Sequence, residues 1–241
     1  NLSGERRPQS YLRETLWSDA PVSHIVVTPP VPSFPLNPDK ADWSVWDFPD
    51  VVDHWNFPGY EGKKMTVSVY SNCEQVELFL NGESLGKQEN TADKKNTLVW
   101  EVPYAHGILK AVSYNKGGEV GTATLESAGK VEKIRLSADR TEIVADGNDL
   151  SYITLELVDS KGIRNQLAEE LVEFSIEGDA TIEGVGNANP MSIESFVANS
   201  RKTWRGSNLL VVRSGKSSGR IIVTAKVKAL PVASITITQK K

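Results

Sequence analysis

Carboxylates, histidines and serines are the side chains of this sequence that could perform catalysis, and their spacing argues against it. Glu169 and Glu170 are adjacent and precede a predicted strand, where neighbouring side chains point to opposite faces. The histidines are widely spaced and show no HxxxH or HxH metal pattern; they are His24, His54 and His106. The sequence contains no GxSxG elbow that would activate a serine. We therefore assign the chain no catalytic residue, no metal ligand and no cofactor.

A glycine pair and one cysteine are the remaining candidates for chemistry. Gly184 and Gly186 would complete a GxGxxG phosphate motif only with a glycine in place of Asn189, and no helical pattern follows. We interpret the pair as a bulge or a tight turn. Cys73 is the single cysteine, so the chain has no internal disulfide or cysteine-built zinc site. We interpret it as a packing residue near a turn.

Tryptophan side chains could contact a sugar, because an indole face can cover the apolar face of the ring. Trp204 lies among three basic residues at the end of a predicted loop, where it either stacks on a sugar or anchors the loop. Trp46 and Trp55 lie in a proline-rich segment together with His54. Packing of that segment on a neighbouring domain is the first interpretation of these three residues.

Composition excludes several classes of function. The 241 residues carry a net charge of −4, and the basic residues are scattered singly, so we expect no nucleic-acid partner. No apolar run reaches the roughly 18 residues of a membrane-spanning helix, and no charged-then-apolar leader is present. Because the chain opens at Asn1 rather than at methionine, we expect it to be a piece of a longer protein.

Apolar residues alternate with polar ones between residues 63 and 128, which predicts strands with one buried face. The second of these strands leads into Asn81-Gly82, the dipeptide that best tolerates the turn of a two-residue hairpin. Another turn is expected at residues 116–118. About six strands in this stretch indicate a small antiparallel sandwich.

The same alternation returns between residues 129 and 241 with longer strands. Turns are expected at residues 146–148 and 159–162, and a long loop is expected between Ile182 and Trp204, where the alternation fades. Seven or so strands in this stretch indicate an immunoglobulin-like sandwich. We place the junction of the two sandwiches within residues 127–131.

The first 62 residues show a helical pattern and a proline-rich segment in place of the strand alternation of the later residues. Pro8 suits the first position of a helix, and apolar spacing predicts a short helix over residues 8–17. Nine of the twelve prolines lie at or before Pro58, so residues 19–59 should be extended apart from a strand at 24–28. We call residues 19–59 the strap, because its tryptophans should pin it against a neighbouring domain.

Several strings in this sequence resemble parts of bacterial glycoside hydrolase family 2 enzymes of the β-galactosidase type. YSN followed by ELFLNGESLG resembles a segment just after the catalytic barrel, and GERRPQSYLRETLW resembles the last barrel helix. LSADRTEIVADGNDLSYITLELVDSKG is similar to the opening of bacterial immunoglobulin-like domains in invasin-type adhesins and in the terminal domain of such galactosidases. GVGNANPMSIESF and RKTWRGSNLLVVRSG also look like parts of that terminal domain.

This resemblance implies an all-β chain of two tandem antiparallel immunoglobulin-like sandwiches behind a short helix and a Pro/Trp-rich strap. It divides the chain into residues 1–62, the barrel helix and strap, residues 63–128, a small sandwich, and residues 129–241, the immunoglobulin-like sandwich. Both catalytic glutamates of the retaining mechanism would lie on the barrel, outside this chain. The chain would then be a non-catalytic accessory region whose partner is that barrel.

The resemblance also implies a bacterial periplasmic or extracellular location, β-galactoside-containing glycans as ligands of the longer protein, and oligomer contacts. It suggests that Trp46, His54 and Trp55 border the substrate cleft of that protein, as an alternative to packing. Glucuronide and mannoside are alternative substrates. A carbohydrate-binding module, which needs an exposed coplanar aromatic platform, and an adhesin-like spacer are the rival functions.

Overall fold

A computed structural model describes residues 1–33 and 49–241. The chain divides into two compact units, Arg6–Ser127 and Ala128–Lys241, the second of which includes Asn1–Glu5. Antiparallel sheets dominate both units, which confirms the predicted all-β class. No helix in the described parts of the chain is long and apolar enough to cross a membrane.

The unit Arg6–Ser127 contains one α-helix and seven strands among its described residues. They are α1 (Pro8–Trp17), β1 (Ser23–Val27), β2 (Lys64–Ser71), β3 (Gln75–Leu80), β4 (Glu83–Glu89), β5 (Thr97–Pro103), β6 (Ile108–Asn115) and β7 (Gly118–Glu126). The strands form two sheets, β1-β2-β5 and β4-β3-β6-β7. Because β1 pairs with β2 from Ser23 opposite Ser71 to Val27 opposite Val67, the chain before residue 63 contributes a strand to the first sandwich.

Alternation along β2 and β3 builds the core of this unit. Val67 and Val69 on β2 and Val76 and Leu78 on β3 have no exposed surface. They pack in one cluster with side chains of β5 and β6 and with Trp55. Burial of this many apolar side chains provides the main stabilisation of the sandwich.

The β3–β4 hairpin has the predicted two-residue turn. Asn81 and Gly82 have φ values of 51° and 88°, a conformation that suits asparagine and glycine. The Asn81 side chain accepts a hydrogen bond of 2.8 Å from the Ile108 N–H and donates one to the His106 carbonyl. A Cβ at Gly107 would lie 1.9 Å from Asn81 Oδ1, so this close approach requires glycine.

Helix α1 begins at Pro8 and ends at Trp17, as predicted. A helix of ten residues is too short to persist in water by propensity alone, so it needs a packing surface. Tyr11 and Leu12 supply the contact, because they pack against buried residues that include Val26 and Tyr70. The helix is therefore part of the first sandwich.

The second unit contains nine strands among its described residues. They are β8 (Lys133–Ala138), β9 (Glu142–Val144), β10 (Leu150–Val158), β11 (Leu171–Glu177), β12 (Ala180–Gly186), β13 (Ser200–Lys202), β14 (Ser207–Ser214), β15 (Gly219–Val227) and β16 (Ala233–Lys240). The sheets have the orders β12-β14-β10-β8 and β13-β11-β15-β16-β9. The pairing of β9 with β16 is parallel, unlike the antiparallel arrangement predicted. Residues of both sheets, including Leu155 and Val223, share one core.

The predicted loop between Ile182 and Trp204 is shorter than expected. Strand β12 continues to Gly186 and β13 begins at Ser200, so residues 187–199 form the connection. A register shift between Ile182 and Gly184 interrupts the pairing of β12 with β14, which agrees with a bulge near the glycine pair.

Candidate functional site

Trp55 has the most enclosed environment of the three predicted site residues that the structure describes, which are His54, Trp55 and Trp204. Its side chain has no exposed surface, and its indole Nε1–H donates a 2.8 Å hydrogen bond to the Ala105 carbonyl. The Tyr104 and Phe57 rings meet it edge-on, with centroid distances of 4.9 and 6.0 Å. Both the apolar body and the polar N–H are therefore satisfied within the unit. In this structure Trp55 offers no surface to a sugar.

Hydrogen bonds to its backbone N–H and carbonyl groups fix the segment around Trp55. The Ser127 hydroxyl donates to the Trp55 carbonyl, and the Phe57 N–H donates to the Tyr104 hydroxyl over 3.1 Å. Val52 and Val27 exchange two backbone hydrogen bonds, at 2.8 and 2.9 Å. The C-terminal end of the strap is thus packed into the first sandwich.

His54 lies beside this cluster and is half-buried. Its ring is 4.9 Å from the Phe57 ring, and its Nδ1 accepts a hydrogen bond of 3.2 Å from the Asn56 N–H. Trp46 lies outside the described residues. The structure therefore does not show the three cleft candidates together, and their role at a cleft stays a prediction.

Trp204 lies at a tight hairpin that leads into β14. Trp204 and Ser207 exchange backbone hydrogen bonds of 3.1 and 3.2 Å across Arg205 and Gly206, whose φ values are 53° and 69°. The Arg205 guanidinium carbon lies 4.6 Å from the centroid of the half-buried indole. A sugar stacking on that face would have to displace a cation–π contact. This geometry favours the anchor interpretation of Trp204.

The adjacent carboxylates Glu169 and Glu170 directly precede strand β11. Glu169 and Glu170 are both exposed, and the Glu170 main chain is anchored by its N–H, which donates to the Thr203 side-chain hydroxyl over 2.9 Å. Within residues 1–33 and 49–241, no group of three histidine, cysteine, aspartate or glutamate side chains could hold a metal ion.

Arg201 is a residue whose role sequence reasoning missed. It follows the loop at residues 187–199, and the sequence alone suggests one of several basic residues at the surface. Its side chain is nevertheless fully buried. Its Nη1 donates to the Val185 and Glu194 carbonyls, and its Nη2 donates to the Ser192 hydroxyl, over 3.1–3.2 Å. The signal that could have identified it is its place in β13, where it must alternate with exposed Lys202.

Asn72, the last residue of the YSN string, is a second residue of this kind. Its Oδ1 accepts a hydrogen bond of 2.7 Å from the Val22 N–H, and its Nδ2 donates to the Ser18 and Ala20 carbonyls, each over 2.9 Å. Asn72 thus satisfies the backbone just after helix α1. The motif that carried the family resemblance holds the N-terminal segment on the sandwich.

His24 lies under helix α1 and has a perturbed acidity. Its ring stacks on the Tyr11 ring at a centroid distance of 3.6 Å and an interplanar angle of 10°. Burial lowers the pKa of His24 from 6.5 to about 4, which the nearby Asp53 carboxylate opposes and Arg6 reinforces. His24 is therefore neutral near pH 7 and serves the packing of the helix.

Asp159 organises the start of the second unit. Its carboxylate accepts hydrogen bonds from the Gly129, Lys161 and Ile163 N–H groups over 2.8–3.0 Å. Burial would raise the pKa of this carboxyl, but the backbone donors together hold it below its usual value. The contact joins residue 129, in the predicted junction, to the turn after β10.

Comparisons with known proteins decide the family. A model described as glycoside hydrolase family 2 C-terminal domain 5 matches residues 134–236, and one described as a domain of unknown function, DUF4982, matches residues 62–121. The crystal structure of a glycosyl hydrolase family 2 member from Bacteroides cellulosilyticus is 95% identical, with a TM-score of 0.93 over 99% of this chain. The chain belongs to glycoside hydrolase family 2.

Three further proteins match the chain over most of its length. A β-galactosidase of Bacteroides ovatus is 31% identical over 100% of this chain, and a β-glucuronidase of Formosa agariphila is 30% identical over 82% of it. A β-glycosidase structure from Bacteroides vulgatus has 25% identity and a TM-score of 0.83 over 99% of this chain.

All these relatives are much longer than this chain. The chain spans 25% of the B. ovatus enzyme and 20% of the F. agariphila enzyme. It spans 31% of the B. cellulosilyticus chain and 27% of the B. vulgatus chain. Together with the model for a C-terminal domain, these shares identify the chain as part of the C-terminal region of a family 2 protein, as the sequence strings predicted.

Proposed function

We propose that this chain is the non-catalytic accessory region of a β-galactosidase-type glycoside hydrolase, in which it supports the catalytic part and the edge of the substrate cleft. The observation that carries the proposal is the alignment of the entire chain with only 25% of a β-galactosidase. The carboxylate pair of a retaining mechanism would then lie in the remaining part of the protein.

The described residues support a structural role. Trp55, one of the three side chains suggested for a cleft, is a buried core residue, and Trp204 carries Arg205 against its indole. These two indoles therefore do not supply the exposed coplanar platform that a carbohydrate-binding module needs. An adhesin-like spacer is disfavoured because helix α1 and the end of the strap are packed into the first sandwich.

The substrate of the intact enzyme is proposed to be a β-galactoside, with a β-glucuronide as the second candidate. The β-galactosidase of B. ovatus aligns with the whole chain, and the F. agariphila β-glucuronidase aligns with 82% of it. The test is kcat/KM of the intact enzyme on the nitrophenyl β-galactoside and the nitrophenyl β-glucuronide. A higher value for the galactoside supports the proposal, and a higher value for the glucuronide overturns this part of it.

A location outside the cytoplasm, contact with glycans and oligomer formation complete the proposal and rest on the family resemblance. Fractionation of the native cells with an antibody against the second sandwich tests the location. Recovery of the protein in the cytoplasmic fraction alone would contradict it.

A further inference from the structure

Residues 187–199, between β12 and β13, form a loop that exposes an apolar surface; we call them the Arg201 loop after the residue that holds them. Four apolar side chains of this loop are exposed: Ile193 by 101%, Val197 by 81%, Met191 by 69% and Phe196 by 54%. Single exposed apolar residues are ordinary, but four within seven positions form a candidate interaction surface.

Hydrogen bonds to the adjoining strand β13 hold the Arg201 loop in place. Besides the Arg201 hydrogen bonds to its backbone, the Glu194 carboxylate accepts a hydrogen bond of 3.0 Å from the Lys202 N–H, and Asn187 Nδ2 donates to the Lys202 carbonyl over 2.9 Å. The guanidinium carbon of Arg201 lies 4.2 Å from the Phe196 ring centroid. A loop held in this way loses little conformational entropy when it binds a partner.

The chemistry of the exposed side chains indicates a protein partner. Met191, Ile193 and Val197 have no aromatic face, and sugars are bound by stacking on such faces together with convergent polar groups. The one aromatic ring of the loop, Phe196, already carries the Arg201 guanidinium. Aliphatic and thioether groups instead match an apolar protein surface, which they would remove from water.

The length of the related polypeptide indicates which protein surface is the partner of the loop. This chain spans 31% of the B. cellulosilyticus polypeptide, so more than two thirds of that polypeptide is covalently linked to an equivalent of this region. Covalent linkage gives the remaining part a high effective concentration at the loop, which a separate partner or a second copy lacks. We propose that the Arg201 loop docks on an apolar surface of the remaining part of the same polypeptide. The inference rests on the proposed accessory function and names the surface that performs it.

Hydrogen exchange tests the docking directly. The backbone amides of residues 191–197 should exchange at least about tenfold more slowly in the intact enzyme than in the 241-residue chain. Equal exchange in the two proteins would overturn the proposal. Protection in the 241-residue chain that grows with protein concentration would assign the loop to a second copy, and protection that requires added galacto-oligosaccharide would assign it to a glycan; either result also overturns it.

A pair of matched variants separates docking from folding. Ile193→Asp places a charge on the loop, and Val232→Asp places one at another exposed position of the same unit, where the side chain is 59% exposed. In the 241-residue chain both variants should unfold at the wild-type midpoint. In the intact enzyme Ile193→Asp should remove the protection of residues 191–197, and Val232→Asp should retain it. Identical behaviour of the two variants in the intact enzyme would overturn the proposal.

These results are independent of the test of catalysis. Hydrolysis of a glycoside by the 241-residue chain would refute the accessory function and leave the exchange result unaffected. Equal exchange of the loop amides would refute docking and leave a non-catalytic role in place.

Discussion

The indole of Trp55 and the carbonyl of Ala105, fifty residues apart in the sequence, are joined by a 2.8 Å hydrogen bond inside the first sandwich. This contact fixes the end of the strap to the chain between β5 and β6. The tryptophan that sequence reasoning offered to a substrate cleft is thereby a core residue, and its replacement has a clear expected result.

Trp55→Ala should lower the free energy of unfolding by about 3–5 kcal/mol, because it leaves a large cavity and an unpaired Ala105 carbonyl. Trp17→Ala is the matched control, since that indole is 85% exposed, and it should change stability by less than about 0.5 kcal/mol. Denaturant titration measures both. In the intact enzyme, a raised KM for Trp55→Ala without loss of stability would contradict the core role.

The lowered pKa of His24 should make the free energy of unfolding depend on pH. Its folded-state pKa of about 4 lies below the unfolded value of 6.5, so as the pH falls through this interval the unfolded state gains a proton that the folded state does not. The free energy of unfolding should therefore rise with pH between about 4 and 6.5, by about 3 kcal/mol for this residue, and level off above that range. Urea titrations across this interval measure the slope, which His24→Phe should reduce. An unchanged slope in that variant would refute the assignment.

Asn72→Ala should release the segment after helix α1, since three backbone groups lose their partner; the expected cost is about 1–3 kcal/mol. The amides of α1 should exchange faster in this variant, while those of β14 serve as an internal control. Unchanged exchange in α1 would show that Asn72 does not hold the helix on the sandwich.

The two units should fold independently. Fragments 6–127 and 128–241 follow the division of the structure without the short segment Asn1–Glu5 of the second unit, and each has its own buried core. Each should show a single cooperative thermal transition. If neither fragment folds, the two sandwiches depend on each other and the predicted domain boundary is wrong.

Much of the fold could be predicted because period-two alternation and turn residues act locally. The Asn81-Gly82 hairpin and helix α1 follow from such signals. Sequence reasoning could not predict that β1 pairs with β2, because 36 residues separate the two strands and pairing depends on the whole sheet. The role of Asn72 was missed because its backbone partners lie 50 or more residues away in sequence. The role of Arg201 was missed because its partners Ser192 and Glu194 belong to an irregular loop, whose conformation no period-two pattern predicts.

Nitrophenol release from the nitrophenyl β-galactoside by the purified 241-residue chain tests whether this region is non-catalytic. The Glu169→Gln/Glu170→Gln double variant serves as the control for the one adjacent carboxylate pair considered as catalytic. We expect wild type and variant both to release nitrophenol at the rate of a buffer blank. Release above the blank by the wild-type chain, abolished in the double variant, would contradict the non-catalytic assignment.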